Sequence, residues 1–207
     1  MSLSPRLNTA VAAYFCDKDT IMRKLKFQMQ TTLDGFVSGP NGEMDWVTWN
    51  WGQDIKDYVT AITEPVDTML LGRVLAEGFI PHWTAGLKDN MEGAQKIVET
   101  PKVVFTKTMQ DNPWENTVLA NGDLADEVNR LKRQEGGDII AYGGVSFAAS
   151  LITNNLIDEY HLFVNPVAIG KGRSIYDTLG KNFPLKLIDS KAFECGITLL
   201  CFQPAQK

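Results

Sequence analysis

Three short stretches place glycine, hydroxyl and cationic residues directly after an apolar run: Leu71-Gly72-Arg73, Phe105-Thr106-Lys107 and Tyr142-Gly143-Gly144-Val145-Ser146. Each reads as a turn out of a strand. Open α/β sheets bind ligands outside the carboxyl ends of their strands. Glycine there lets backbone N–H groups approach a phosphate, and a helix N-terminus adds partial positive charge. The third stretch is the best pyrophosphate candidate, because two glycines and a serine stand where a helix begins; a glycine pair is also a common bland turn. Arg73 and Lys107 each follow a strand, and two cations at adjacent strand ends can hold a ribose 2′-phosphate, Arg as a fork and Lys as a point charge. The competing reading makes both of them ordinary solvated cations. No GxGxxG occurs, and no acidic residue follows the first strand at the ribose-binding spacing, so a standard Rossmann dinucleotide domain is disfavoured.

The elements that must position these turns alternate in type. Leu25 to Thr31 reads as a first strand, followed by a turn-rich loop from Thr32 to Asp45 and a helix between Trp46 and Thr63 that Pro65 ends. Asp67 to Leu71 is a strand leading into a short helix, residues 89 to 99 look helical, and Lys102 to Thr106 and Thr117 to Ala120 are strands. Asp123 caps a helix with acidic residues early and Lys132 and Arg133 late, an order that suits the helix dipole. Asp138 to Tyr142 is a buried-type strand, Val145 to Thr153 an apolar helix and Asp158 to Val164 a strand. Leu185 to Lys191 and Gly196 to Phe202 make a terminal hairpin. Alternating βα units predict a mostly parallel sheet with helices on both faces and antiparallel strands at the C-terminal edge.

Composition bounds the function. The chain has 207 residues, 44% hydrophobic and 22% charged, with a net charge of −5. That mildly acidic balance argues against broad nucleic-acid or membrane binding. No apolar run reaches the roughly 18 residues of a transmembrane helix. The three cysteines, Cys16, Cys195 and Cys201, have no CxxC spacing and read as reduced thiols in a cytoplasmic protein. The two histidines, His82 and His161, are too far apart for a local metal motif, so no metal site is expected. Residues 1–21 read as an extension or leader, with a single domain over 22–207.

At residues 29 to 46, "MQTTLDGFVSGPNGEMDW" resembles the opening of the dihydrofolate-reductase-like superfamily, in the branch of the riboflavin biosynthesis reductase domain, the C-terminal domain of bifunctional deaminase-reductases. "MLLGRVLAEGF", "VVFTKTM", "IIAYGGVSFAASLITNNLIDEYHLFVNPVAIGKG" and the terminal hairpin fit the same family in the same order. The resemblance implies an α/β fold of three αβα layers, with a central, mostly parallel mixed sheet and a C-terminal antiparallel hairpin. It also implies NADPH as cofactor and hydride transfer to a small heterocyclic or carbonyl substrate. Gly72, Arg73 and Glu77 are implied to contact the cofactor, Thr106 and Lys107 to lie near the 2′-phosphate, and Gly143, Gly144, Val145 and Ser146 to hold the pyrophosphate. Asp34, Gly35 and Phe36 would border nicotinamide and substrate.

The chain also departs from the pattern. Ala141 or Tyr142 stands where riboflavin reductase domains carry an acidic substrate contact, and no zinc-deaminase signature is present. Reducing a C=N or C=O bond needs a proton, which a carboxylate in an apolar site can supply. Folate-reducing members place that acid on the helix after the first loop, where Asp54 and Asp57 stand three apart; Asp34 is the third candidate, although Asp-Gly is a common turn. Trp46 and its neighbours could wall a planar substrate or simply pack. The leading expectation is a reductase resembling 5-amino-6-(5-phosphoribosylamino)uracil reductase, with a dihydropterin reductase as variant. Two alternatives are a nucleotide-binding protein that has lost catalysis, favoured by the missing acid, and a flavin enzyme on a split-barrel sheet, disfavoured by the βα alternation. A homodimer built on the C-terminal strands is expected, as in relatives.

Overall fold

A computed structural model describes residues 22–205; the reading of residues 1–21 as a leader falls outside them. The elements are β1 (Leu25–Thr31), α1 (Gln53–Thr63), β2 (Val66–Gly72), α2 (Arg73–Lys88), α3 (Ala94–Glu99), β3 (Lys102–Phe105), β4 (Thr117–Ala120), α4 (Leu124–Lys132), β5 (Asp138–Tyr142), α5 (Val145–Thr153), β6 (Glu159–Val164), β7 (Leu185–Ala192) and β8 (Thr198–Pro204). All strands join one sheet in the order β4-β3-β2-β5-β1-β6-β8-β7. The pairings from β4 across to β6 are parallel, and β8 runs antiparallel to both β6 and β7. The expected α/β architecture with its C-terminal hairpin is therefore present.

Both faces of the sheet are covered. One carries α4 and α5, packed on Leu25, Phe27, Leu70, Val103, Ile139 and Tyr160. The other carries α2 and α3 over β2, β3 and β5, and α1 over β6 and β8. A strand buried on both faces must be apolar throughout, and "DIIAY" of β5 conforms. β1 does not. Leu25, Phe27 and Met29 enter the core beneath α5, while Lys26, Gln28 and Gln30 alternate onto the opposite face. That face of β1 lies between the ground covered by α1 and the ground covered by α2, so a polar seam runs through the middle of the molecule.

One helix departs from its predicted extent. α2 is not short: it runs sixteen residues and contains Pro81. Ala76 and Ile80 are buried against β2 and β3, with Leu75 and Phe79 packed beside them. An amphipathic face of this kind outweighs the cost of the one hydrogen bond that proline removes. The helix expected over 89–99 shrinks to Ala94–Glu99, because Gly93 at φ 79° breaks the chain in the left-handed region just before it.

Candidate functional site

β2 and β5 are neighbours, and the register pairs Leu71 with Tyr142. Their carboxyl ends, one residue or so beyond, become the starts of α2 and α5. Neither helix has a side-chain cap, neither has an acidic residue in its first turn, and both N-cap positions are glycine, Gly72 and Gly144. Two sets of unsatisfied N–H groups, and the positive ends of two helix dipoles, thus stand side by side at one edge of the sheet. The spacing is tight. A Cβ on Gly72 would lie 2.7 Å from Phe147 Cβ, and Gly144 adopts φ 42°, which favours glycine. Gly143 passes over Met29, and the Ser146 side chain is exposed at the mouth of α5. An anion is the ligand this arrangement fits.

The cations lie where the register requires, since Gly72 pairs with Phe105 across β2 and β3. Arg73 Nη1 donates to Glu77 Oε1 at 2.6 Å, an i,i+4 pair in which both side chains are half-exposed. Such a pair is weak in water, so the guanidinium is available to a stronger anion. Lys107 Nζ donates to the carbonyls of Asn121 (3.1 Å) and Gly122 (2.5 Å), closing the end of β4. Thr106 is buried, and its hydroxyl accepts from the N–H groups of Thr108 and Met109 at 3.2 and 3.0 Å, which shapes the loop after β3.

The polar seam opens at the same end of the sheet. Gln28 lies between Tyr142 on β5 and His161 on β6. It is 9% exposed, and its Oε1 has no partner. Tyr142 stacks on Phe79 of α2 with centroids 5.5 Å apart. Burial pushes its phenol pKa well up, so the hydroxyl stays a donor at neutral pH. Asn165, fully buried, donates to Gln30 Oε1 at 2.8 Å and accepts from Thr48 N–H at 2.9 Å, fixing the 46–52 segment over the seam. The indole Nε1 of Trp46 is buried without a partner. Gln28, Gln30 and Asn165 are the residues sequence reading passed over. For Gln28 and Gln30 the signal was the polar alternation "LKFQMQ" in a strand that should be apolar.

The candidate proton donors are dispersed. Asp34 accepts from Gly170 N–H at 2.7 Å and Ile169 N–H at 3.1 Å, tying the first loop to the 167–173 loop. The Thr32 hydroxyl and these backbone donors hold its pKa below the usual carboxylate range, so it is ionised at neutral pH. Asp54 spends one oxygen on Ile55 N–H and the other on Glu194 N–H, both at 2.8 Å, pinning the β7–β8 turn to α1. Asp57 is exposed and accepts from Gln53 at 2.7 Å. Phe36 sits in the first loop against Gly172, where a Cβ would lie 2.3 Å from Ser38 O. None of the three carboxylates lies in an apolar pocket.

The family model of the RibD C-terminal domain matches residues 23–199. The chain belongs to the RibD C-terminal domain family. Among curated proteins it is 30% identical over 184 residues to the uncharacterised YyaP of Bacillus subtilis, covering 87% of this chain and 94% of that protein. It is 26% identical over 166 residues to the riboflavin biosynthesis protein RibD of Corynebacterium ammoniagenes, covering 73% of this chain but 44% of that protein. The Thermotoga maritima diaminohydroxyphosphoribosylaminopyrimidine deaminase/5-amino-6-(5-phosphoribosylamino)uracil reductase superposes with a TM-score of 0.66 at 17% identity, over 89% of this chain and 57% of that one. The RibD C-terminal fold follows. Within that RibD C-terminal frame, Gly72, Arg73, Glu77 and the 143–146 turn come together at one strand edge. Thr106 and Lys107 lie one strand further out, Tyr142 faces the seam, and Asp54 and Asp57 stand on α1.

Proposed function

We propose that the protein is an NADPH-dependent reductase delivering hydride to a small heterocyclic or carbonyl substrate, of the kind 5-amino-6-(5-phosphoribosylamino)uracil reductase acts on. The observation that carries this is the pair of uncapped helix N-termini on the adjacent ends of β2 and β5, opening beside a polar seam. When bound, NADPH supplies the hydride from its nicotinamide. Gly143, Gly144, Val145 and Ser146 would hold its pyrophosphate on the N-terminus of α5. Arg73 would exchange Glu77 for the 2′-phosphate, with Thr106 and Lys107 bordering the adenosine end. The loop bearing Asp34 and Phe36 would flank the nicotinamide. Gln28 and the protonated Tyr142 offer an acceptor and a donor to the edge of a planar heterocycle, and Trp46 offers a face.

A second reading, a nucleotide-binding protein without catalysis, has its own support: Asp34 stays ionised, and Ala141 or Tyr142 stands where the resemblance places an acidic substrate contact. A homodimer joined along β7 and a cytoplasmic location complete the proposal. Among the described residues no helix is long and apolar enough to cross a membrane.

The test is fluorescence titration with NADPH and NADH on wild type and Arg73→Ala, followed by NADPH oxidation with the riboflavin pyrimidine or dihydrofolate. Loss of one Arg–phosphate contact is expected to weaken NADPH about 10-fold or more and leave NADH unchanged, since a charged hydrogen bond contributes about 1.5–3 kcal/mol. Binding without oxidation of NADPH by either substrate favours the second reading. Failure to bind either nucleotide overturns both.

A further inference from the structure

Beneath α1, away from the strand-end turns, three donors of different chemistry converge on the sheet face. Glu159 opens β6, His161 follows on the same face, and Cys201 of β8 is the register partner of His161. One ligand atom from each lies within 4.8 Å of the others. His161 is 2% exposed and Cys201 3%. His161 Nδ1 is 2.8 Å from the Tyr58 hydroxyl of α1 and 3.7 Å from Cys201 Sγ. Nε2 is 2.8 Å from Glu159 Oε1, yet it makes no aligned hydrogen bond and is buried without a partner.

Packing alone does not explain this set. A carboxylate, an imidazole and a thiol are gathered on one buried sheet face, with a ligand atom of each within 4.8 Å of the others. The thiol is only weakly held, its contact with His161 Nδ1 being 3.7 Å long. Zinc-class ions hold N, O and S donors at about 2.0–2.3 Å, so donors of one shell lie up to about 4 Å apart. Ligand atoms up to 4.8 Å apart would have to close by about 1 Å to share one shell. A metal-bound histidine generally donates its other ring N–H to a fixed acceptor, and the Tyr58 oxygen is placed for Nδ1–H. Water could complete the shell. Lys24, 3.7 Å from Glu159 Oε2, is exposed and approaches the other carboxylate oxygen.

We propose that Glu159 Oε1, His161 Nε2 and Cys201 Sγ form a binding site for a thiophilic divalent ion of the zinc class, with Tyr58 orienting the imidazole. On binding, the Cys201 S–H bond breaks, the metal–sulfur bond forms and the proton passes to buffer; His161 binds as the neutral Nδ1–H tautomer. The site is independent of the reductase reading.

Cobalt(II) added to the full chain tests it. The expected result is a thiolate-to-cobalt charge-transfer band in the near ultraviolet with tetrahedral d–d bands. About one proton should be released per ion, read by calorimetry in two buffers of different ionisation enthalpy. Cys201→Ala should abolish the band, Cys195→Ala and Cys16→Ala should keep it, and Tyr58→Phe should weaken cobalt affinity about 10-fold. Circular dichroism confirms that each variant is folded. Absence of the charge-transfer band in wild type, or its survival in folded Cys201→Ala, overturns the proposal.

Discussion

Asp34 stands in the first loop with both oxygens occupied by the Ile169 and Gly170 N–H groups, which makes it an anchor between two loops rather than a store for a proton. Its folded pKa lies below the unfolded value of about 3.9. The ionised form therefore favours the folded state at pH values above about 4, and that contribution fades as pH falls through the lower folded value. Urea midpoints of wild type and Asp34→Asn should differ most near neutrality and converge as pH falls through the lowered folded pKa; a constant gap from neutral to acid pH would show that the carboxylate charge is not what holds the loops. At this scale sequence reading found the glycines and cations and placed Arg73 and Lys107 on adjacent strand ends. It overlooked Gln28 and Gln30, although their alternation with Phe27 and Met29 was plain, because a central parallel strand is expected to be apolar on both faces. That Arg73 is paired with Glu77, and that Lys107 caps the end of β4, depended on rotamers that no pattern of residues specifies.

The elements that build the anion cradle are joined through glycine. Phe147, in the first turn of α5, rests on Gly72 and stacks on Phe105 at 5.1 Å. Gly72→Ala would force a Cβ to 2.7 Å from Phe147 Cβ, moving the start of α5 away from β2. Overpacking of this kind costs about 1–3 kcal/mol, which in a chain of this size lowers Tm by roughly 2–4 °C per kcal/mol. Calorimetry should show that drop together with weakened nucleotide binding. An unchanged Tm would mean that the two helix starts are not rigidly coupled. The strands were legible because β-branched and aromatic runs lay between Gly, Pro and Asp signals. The length of α2 was not, because it rests on the burial of Ala76 and Ile80 against the sheet, which carries the helix through Pro81.

For the whole molecule, β7 is the last strand of the sheet, and its Leu187 and Ile188 are 49% and 42% exposed. An open apolar edge is a liability unless something pairs with it, and the proposed occupant is the same edge of a second copy. Light scattering should give twice the 23.0 kDa chain mass for wild type, and Leu187→Asp with Ile188→Lys should return it to one chain. A monomeric wild type would rule out this interface. The sequence by itself determined the alternation of strands and helices, the antiparallel hairpin and the phosphate-type turns, because each rests on short-range periodicity and turn chemistry. The tertiary structure alone decided which turns meet, since strand order puts β5 between β1 and β2. It likewise set Cys201 beside His161, forty residues away in the chain. Pairing across a sheet takes no account of distance along the chain, and only the register of β6 against β8 brings those residues together.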